Sequence, residues 1–338
     1  MTVRINLALQ GGGAHGAFTW GVVDRLLQDD TIEIAGISGT SAGALNGAAL
    51  KAGMVENGAK GARENLKWLW DQVSGIGDMR LAHWMSALFP APGLVSQSIE
   101  NSLPYSVADT WTRLVSPYSY GPFYQNPLRR IAEKFHYEDV CAAQGPAFFV
   151  SATNVRTGKI RVFSGDEINT DVILASACLP TIFQAVTIEG EDYWDGGYTG
   201  NPALFPLFAP ELPSDIVIVN INPLERRETP REARDILNRI NEISFNSSLL
   251  RELRAIHFVQ RLISEGRVAD GAMKAVRIHM IADDALMTEL SVASKLVPTP
   301  ATLSALFEAG QAAAERFLSD HRDALGNRSS VDLPEMYG

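Results

Sequence analysis

The stretch Ile32-Glu33-Ile34-Ala35-Gly36-Ile37, followed by Gly39-Thr40-Ser41-Ala42-Gly43 and then Ala44-Leu45-Asn46-Gly47-Ala48-Ala49-Leu50-Lys51-Ala52, decides how this chain is read. Its first part is an apolar run, which predicts a short buried strand. Its last part is rich in small, helix-compatible residues. Strand, G-x-S-x-G and helix, in that order, are the setting in which the pattern forms a nucleophile elbow. The spacing has a steric cause. A serine on a sharp strand-to-helix turn occupies a strained backbone region, and side chains two residues away on either side would collide, so Gly39 and Gly43 flank it. The turn also puts Ser41 at a helix N-terminus, where free N–H groups and the positive end of the helix dipole favour a developing negative charge. Outside that setting the same five residues are an ordinary tight turn with an incidental serine.

Toward the N-terminus, Val3 to Leu9 alternates and then turns apolar, as a buried first strand does. Gln10 leads into Gly11-Gly12-Gly13-Ala14-His15-Gly16, and the next segment sets Phe18, Val22, Val23, Leu26 and Leu27 on one helical face. Strand, glycine loop, helix, strand, glycine turn and helix make a βαβα opening. It predicts an α/β fold with a mainly parallel sheet sandwiched by helices in three layers. The glycine loop admits two readings. It fits G-x-G-x-x-G, with Glu33 about 20 residues on, as a dinucleotide site wants. It also fits a cradle of backbone N–H groups serving as an oxyanion hole. In a dinucleotide site the acidic residue ends the second strand, whereas Glu33 stands near its start and the strand runs into Gly39. The oxyanion reading is therefore preferred, and a dinucleotide-dependent oxidoreductase is the alternative. His15 is expected to face solvent or to cap the first helical turn.

The bulk properties narrow the function classes. With 338 residues and 46% hydrophobic content, the chain can bury a large core. A formal net charge of −10 without a basic cluster argues against nucleic acid as a partner. Transient contact with a membrane surface would need a local patch to override that charge. Cys141 and Cys178 make no disulfide framework and suit a reducing compartment. The absence of a long apolar run and of a signal-peptide layout leads to an expected cytoplasmic location. No metal-ligand spacing stands out, so neither a metal nor another cofactor is expected.

Downstream of the elbow, Glu64 to Val73 reads as helix. Residues 71–135 form an insertion rich in aromatics and proline, with Trp84, Phe89, Tyr105, Trp111 and the run Pro117 to Tyr124. It is read either as a packed insertion or as a cap supplying the walls of an apolar acyl pocket. Ala147 to Asn154 and Ile160 to Phe163 read as a hairpin, and Val172 to Ala177 as a short helix. Ala185 to Ile188 and Asp192 to Trp194 form a second strand-turn-strand that delivers Asp195-Gly196-Gly197 to a bend. Ile216 to Ile221 and Val276 to Ile281 are further strands. Thr229-Pro230-Arg231-Glu232 has the features of a helix start. The helix after it is expected to bury one long stripe through Ile236, Leu237, Ile240, Ile243, Leu250, Leu253, Ile256 and Val259. Leu303 to Leu318 predicts a closing helix weakened by Gly310, and the tail from Asn327 is expected to be loose.

Ser41 needs a base, because an unassisted hydroxyl is a poor nucleophile near neutral pH. Asp195 followed by His257, His279 or His321 would satisfy the chain order of an α/β-hydrolase triad, although each histidine is more easily read as structural. Asp195, in its Gly-Gly turn after an aromatic strand, is aimed as a site residue would be. Gly11-Gly12-Gly13-Ala14-His15-Gly16, Gly39-Thr40-Ser41-Ala42-Gly43 and Asp195-Gly196-Gly197, in this order and at these separations, resemble the patatin-like phospholipase family. The resemblance covers about residues 5–210 and includes Ser176-Ala177-Cys178-Leu179-Pro180. It implies a modified α/β-hydrolase-like fold that cleaves lipid acyl esters through a Ser–Asp dyad without histidine. On this reading Ser41 is the nucleophile, Asp195 the base, and Gly11, Gly12, Gly13, Ala14 and Ala42 surround the oxyanion. The implied substrate is a lipid or other acyl ester, and a non-catalytic lipid-binding relative that keeps the fold and an apolar pocket is the further alternative. Many members carry Arg or Lys where His15 stands, which leaves backbone amides as the oxyanion donors. Residues 5–210 are read as the catalytic domain and 211–325 as an extension packing on it, similar to that of bacterial members, some linked to polyhydroxyalkanoate breakdown.

Overall fold

A computed structural model describes residues 2–76, 116–226, 228–231, 233–269, 271–290, 294–295 and 297–337. The expectations for Trp84, Phe89, Tyr105 and Trp111 lie outside them. Strand β1 (Val3–Leu9) leads through the glycine loop to helix α1 (Gly16–Leu26), strand β2 (Ile32–Gly39) and helix α2 (Ala42–Ile76). Helix α2 is broken at Asn57 and Gly58, the latter with φ 60°. Strands β3 (Ala147–Asn154) and β4 (Ile160–Ser164), helix α3 (Thr170–Ser176), and strands β5 (Val186–Ile188), β6 (Glu191–Asp195) and β7 (Asp215–Asn220) follow. Helix α4 (Ala233–Ser264), strand β8 (Arg277–Ala282), helix α5 (Pro300–His321) and the short helix α6 (Leu333–Tyr337) come after them, with further short helical turns between.

The strands join in one sheet of order β5-β6-β3-β2-β1-β7-β8, with β4 also on β3. Strands β3, β2, β1, β7 and β8 are mutually parallel, while β4 and β6 run antiparallel to β3. The expected mainly parallel, helix-covered sheet is therefore present. Alternation along the strands divides the core in two. Leu7, Leu9, Val217 and Val219 join the core on the side of α1, α2 and α5. Ala8, Ile216 and Ile218 join Leu249, Leu253 and Ile256 of α4 on the other. Strand β1 has β2 on one side and β7 on the other, so the chain leaves its two neighbours in opposite directions. Loops at the C-terminal ends of strands flanking such a switch point form a crevice in open α/β sheets.

Three local expectations change. Residues 229–231 lie outside the helix, and α4 begins at Ala233. Its long apolar stripe is not buried throughout: Ile236, Ile240 and Ile243 are exposed at 41%, 54% and 53%. The inward positions are Glu242, Asn246, Leu249, Leu253 and Ile256. Their 4-3-4-3 spacing is regular, but the first two are polar, so apolar periodicity picked the wrong face there. The tail is not loose. Leu333 is buried, Ser330 N–H donates to the Ile278 carbonyl at 3.1 Å, and Arg254 reaches the Tyr337 carbonyl at 3.0 Å. Gly310, read as a weakness of α5, has a packing cause. A Cβ there would come within 2.1 Å of the Phe18 carbonyl oxygen, and a Cβ at Gly21 within 2.0 Å of that of Phe307, so α1 and α5 touch backbone to backbone.

Candidate active site

The sheet register brings the elbow and Asp195 together. Strand β3 pairs with β2 through Ala147 to Val150, with β6 through Ala152 to Asn154, and with β4 through Phe149 to Thr153. Because β4 overlaps both of the others, it occupies one edge of β3, and β2 and β6 share the opposite edge. They arrive on it head-on. Strand β2 ends with Gly39 opposite Val150, and β6 ends with Asp195 opposite Ala152. Their ends stand two positions apart along β3, about 7 Å of strand, with Ser151 between, and the elbow fills that gap.

Ser41 is held with φ 54°, a conformation L-residues rarely adopt and one kept only where the surroundings enforce it. Glycine is required on its C-terminal side: a Cβ on Gly43 would lie 2.0 Å from the Leu9 carbonyl oxygen. The glycine loop lies directly against the elbow, since a Cβ on Gly11 would meet Ser41 Cβ at 2.7 Å. Three ties fix the elbow to its neighbours. Ser41 N–H donates to Ser176 Oγ at 2.9 Å. Thr40 Oγ1 donates to the Gly200 carbonyl at 2.7 Å and lies 2.6 Å from Ser151 Oγ. On the other side of the gap, Asp195 N–H donates to the Cys178 carbonyl at 2.8 Å, and Thr153 Oγ1 donates to the Asp195 carbonyl at 2.8 Å.

The Asp195 side chain is 1% exposed. Its Oδ1 accepts Gly197 N–H at 2.8 Å, while Oδ2 is buried with no hydrogen-bond partner among the described residues. Burial pushes its pKa up to about 7, against the Gly197 amide and the nearby Ser41 hydroxyl, which pull it down. The Ser41 hydroxyl thus stands close enough to the carboxyl to favour its charged form. An aspartate shifted this far is basic enough to take a proton near neutral pH.

The loop amides differ in availability. Gly11 N–H is already committed to Asn201 Oδ1 at 2.7 Å, and Ser41 N–H to Ser176. The amides of Gly12, Gly13, Ala14 and Ala42 donate to no acceptor among the described residues. Behind the loop lies a buried amide network that apolar periodicity did not reveal. Gln10 Oε1 accepts the Ile221 and Asn222 amides at 2.9 and 3.1 Å, and Asn222 Nδ2 donates to the Gly11 carbonyl at 2.8 Å. Asn246 of α4 donates to the carbonyls of Asn222 and Pro223. Lys295 Nζ donates to Asn222 Oδ1 at 3.0 Å. Asn222 reaches the loop from 211 positions away, so only the folded chain reveals the network.

The histidines take other places. His279 is buried and bonds Asp215 at 3.0 Å, at the N-terminal end of β7 and away from the elbow. His257 bonds the Tyr337 hydroxyl, and His321 packs on Phe317. His15 neither faces solvent nor caps. It is buried with Nε2 2.7 Å from Ser294 Oγ, because the loop turns it inward beneath residues 294–295. Burial, then Lys295 and Arg226, hold its pKa well below the usual value, so it is neutral at pH 7. Glu33, the acid that the dinucleotide reading requires, pairs with Arg4 at 3.0 Å on the surface, at the opposite end of β2 from the glycine loop.

No curated protein sequence matches the chain. The crystal structure of VipD from Legionella pneumophila is similar over 95% of this chain and 67% of its own, at 14% identity and a TM-score of 0.44. The sequence model of the patatin-like phospholipase family matches residues 7–208, a span that holds the glycine loop, the elbow and Asp195. With well over half of its length so matched, the chain belongs to the patatin-like phospholipase family, a family of lipid acyl hydrolases.

Proposed function

We propose that the protein is a serine acyl hydrolase in which Ser41 attacks the carbonyl of a lipid acyl ester with Asp195 as its general base. The observation that carries this reading is the pairing itself: a strained, glycine-flanked serine beside a buried aspartate whose Oδ2 has no hydrogen-bond partner among the described residues and whose pKa is pushed up to about 7. The proton leaves Ser41 Oγ for Asp195 Oδ2 as Oγ bonds to the carbonyl carbon. The oxyanion that forms is met by the amides of Ala42, Gly12, Gly13 and Ala14, each such donor being worth about 10²–10³ in kcat. Gly11 serves the cradle through Asn201 rather than the oxyanion. Collapse breaks the bond to the alcohol, which takes the proton from Asp195 and leaves an acyl-Ser41. Water then attacks, passes its proton to Asp195 and releases the acid, and the proton returns to Ser41. The neutral His15 adds no cation, so backbone dipoles carry the electrostatic stabilisation. The reading places the chemistry in residues 5–210 and gives 211–325 a supporting role, for which the Asn222 and Asn246 contacts behind the loop speak.

Hydrolysis of a medium-chain p-nitrophenyl ester by wild type, Ser41→Ala and Asp195→Asn tests the assignment. Both variants are expected to fold and to lose at least about 10³ in kcat, the scale of losing a nucleophile or its base. Near-wild-type turnover by either would contradict the dyad. A folded wild type that binds lipid and never turns over would be a binding protein instead.

A further inference from the structure

Strands β2 and β6 meet head-on on one edge of β3, and no ladder hydrogen bond crosses the gap between their ends. The distance between Ser41 and Asp195 must therefore be set by something outside those two strands. One short segment at the end of α3 touches both. Ser176 Oγ accepts Ser41 N–H at 2.9 Å, and two residues later the Cys178 carbonyl accepts Asp195 N–H at 2.8 Å. Both residues are completely buried, so bulk water does not replace either bond. We infer that Ser176 is a positioning residue: with the Cys178 carbonyl it forms a clamp that sets how closely the Ser41 hydroxyl approaches Asp195. The inference rests on the dyad assigned above.

Two further observations support the clamp. Ser41 sits at φ 54°, a strained conformation that persists only when surrounding contacts over-determine it, and its own N–H is one of the few groups available to hold it. Engaging that N–H also removes it from the oxyanion donors, so the contact acts on the geometry of attack. A second tether, Thr40 Oγ1 to the Gly200 carbonyl at 2.7 Å, joins the elbow to the chain just after Asp195. Loss of the Ser176 hydroxyl therefore loosens the pair rather than dismantling the site.

The test reads Asp195 directly. Its titration is followed in the carboxyl infrared band as the difference between each protein and the same protein carrying Asp195→Asn. The groups facing Asp195 are Ser41, the Gly197 amide, Tyr198 and Cys178. Tyr198 and Cys178 are both pushed up to about 12 by burial and stay neutral through the range, so a change reports Ser41. A hydroxyl near the carboxylate favours its charged form, and its withdrawal raises the pKa. Ser176→Ala is expected to move the Asp195 titration up by roughly half a unit or more. It is also expected to lower kcat about 10- to 100-fold, with KM changed little, the scale of a small misplacement of reacting groups. Ser176→Cys, of similar volume but a weaker acceptor, should fall between the two and serves if Ser176→Ala fails to fold. An Asp195 titration unmoved in the folded variants overturns the inference, whatever their melting temperatures. Hydrolysis that survives Ser41→Ala overturns the proposed function instead, and the infrared titration still decides whether Ser176 sets the approach.

Discussion

At the scale of single residues, Asp195 carries the sharpest consequences. Its pKa of about 7 lies above the ordinary aspartate value of about 3.9 because burial disfavours the charge. The native state therefore holds this proton more tightly than the unfolded chain does. The stability contribution falls as pH rises from about 4 to about 7 and remains unfavourable above that. Asp195→Asn removes the charge, so its melting temperature should exceed that of wild type at pH 8, with the gap closing toward pH 4. The shift corresponds to a few kcal/mol at most, and calorimetry across pH measures it; a variant less stable than wild type at pH 8 would mean that the carboxylate has compensation not seen here. The same group predicts the rate profile. A base must be deprotonated, so kcat/KM should rise about tenfold per unit below pH 7 and level off above it. A profile that is flat from pH 5 to 8 would contradict Asp195 as the base.

At the scale of elements, the crossing of α1 and α5 makes a prediction separate from chemistry. A Cβ on Gly21 or Gly310 would strike backbone oxygen at 2.0 and 2.1 Å, and backbone cannot rotate away as a side chain can. Either change to alanine should cost about 1–3 kcal/mol, as overpacking with backbone displacement does. Urea unfolding measures that loss, while the folded fraction keeps its ester hydrolysis, because the crossing lies apart from the elbow. This pair also shows what a sequence can and cannot convey. The βαβα opening was legible because each step is local: apolar runs for β1 and β2, glycines at the turns, and a helical face in α1. The head-on meeting of β2 and β6 was not, because it depends on which edge of β3 each strand takes. Helix α4 was misread over its first half because its inward residues, Glu242 and Asn246, are polar and partnered. Glu242 bonds Arg226 and Arg239, and Asn246 bonds the chain behind the glycine loop. Apolar spacing cannot register a buried face made of satisfied polar groups.

At the scale of the whole molecule, the two ends of the central strands do different work. The C-terminal ends of β1 and β2 carry the glycine loop and the elbow. At the N-terminal end of β7, buried Asp215 accepts bonds from Arg277 at 2.8 Å, His279 at 3.0 Å and the Gly326 amide at 2.8 Å, tying β7, β8 and the chain after α5 together. These partners outweigh burial and hold the Asp215 carboxyl far below its usual range. Its stabilising contribution is therefore present above the unfolded value of about 3.9 and is lost as pH falls below it. Asp215→Asn should lower stability by about 3–5 kcal/mol at pH 7, the cost of removing one partner from a buried pair. The difference from wild type should shrink in acid, and kcat of the folded enzyme should be unchanged. A large loss of kcat at full folding would mean that the clasp reaches the site.

The central claim is that Ser41 is an activated nucleophile and Asp195 is what activates it. Reaction with a fluorophosphonate, with the adduct mapped by mass spectrometry, examines this most directly, because the reagent reports nucleophilicity without requiring the natural ester. The account predicts one phosphonylated residue, Ser41, with no labelling in Ser41→Ala and labelling slowed at least about 100-fold in Asp195→Asn. An adduct on another residue, or labelling of Ser41 at an undiminished rate without the Asp195 carboxylate, would contradict it.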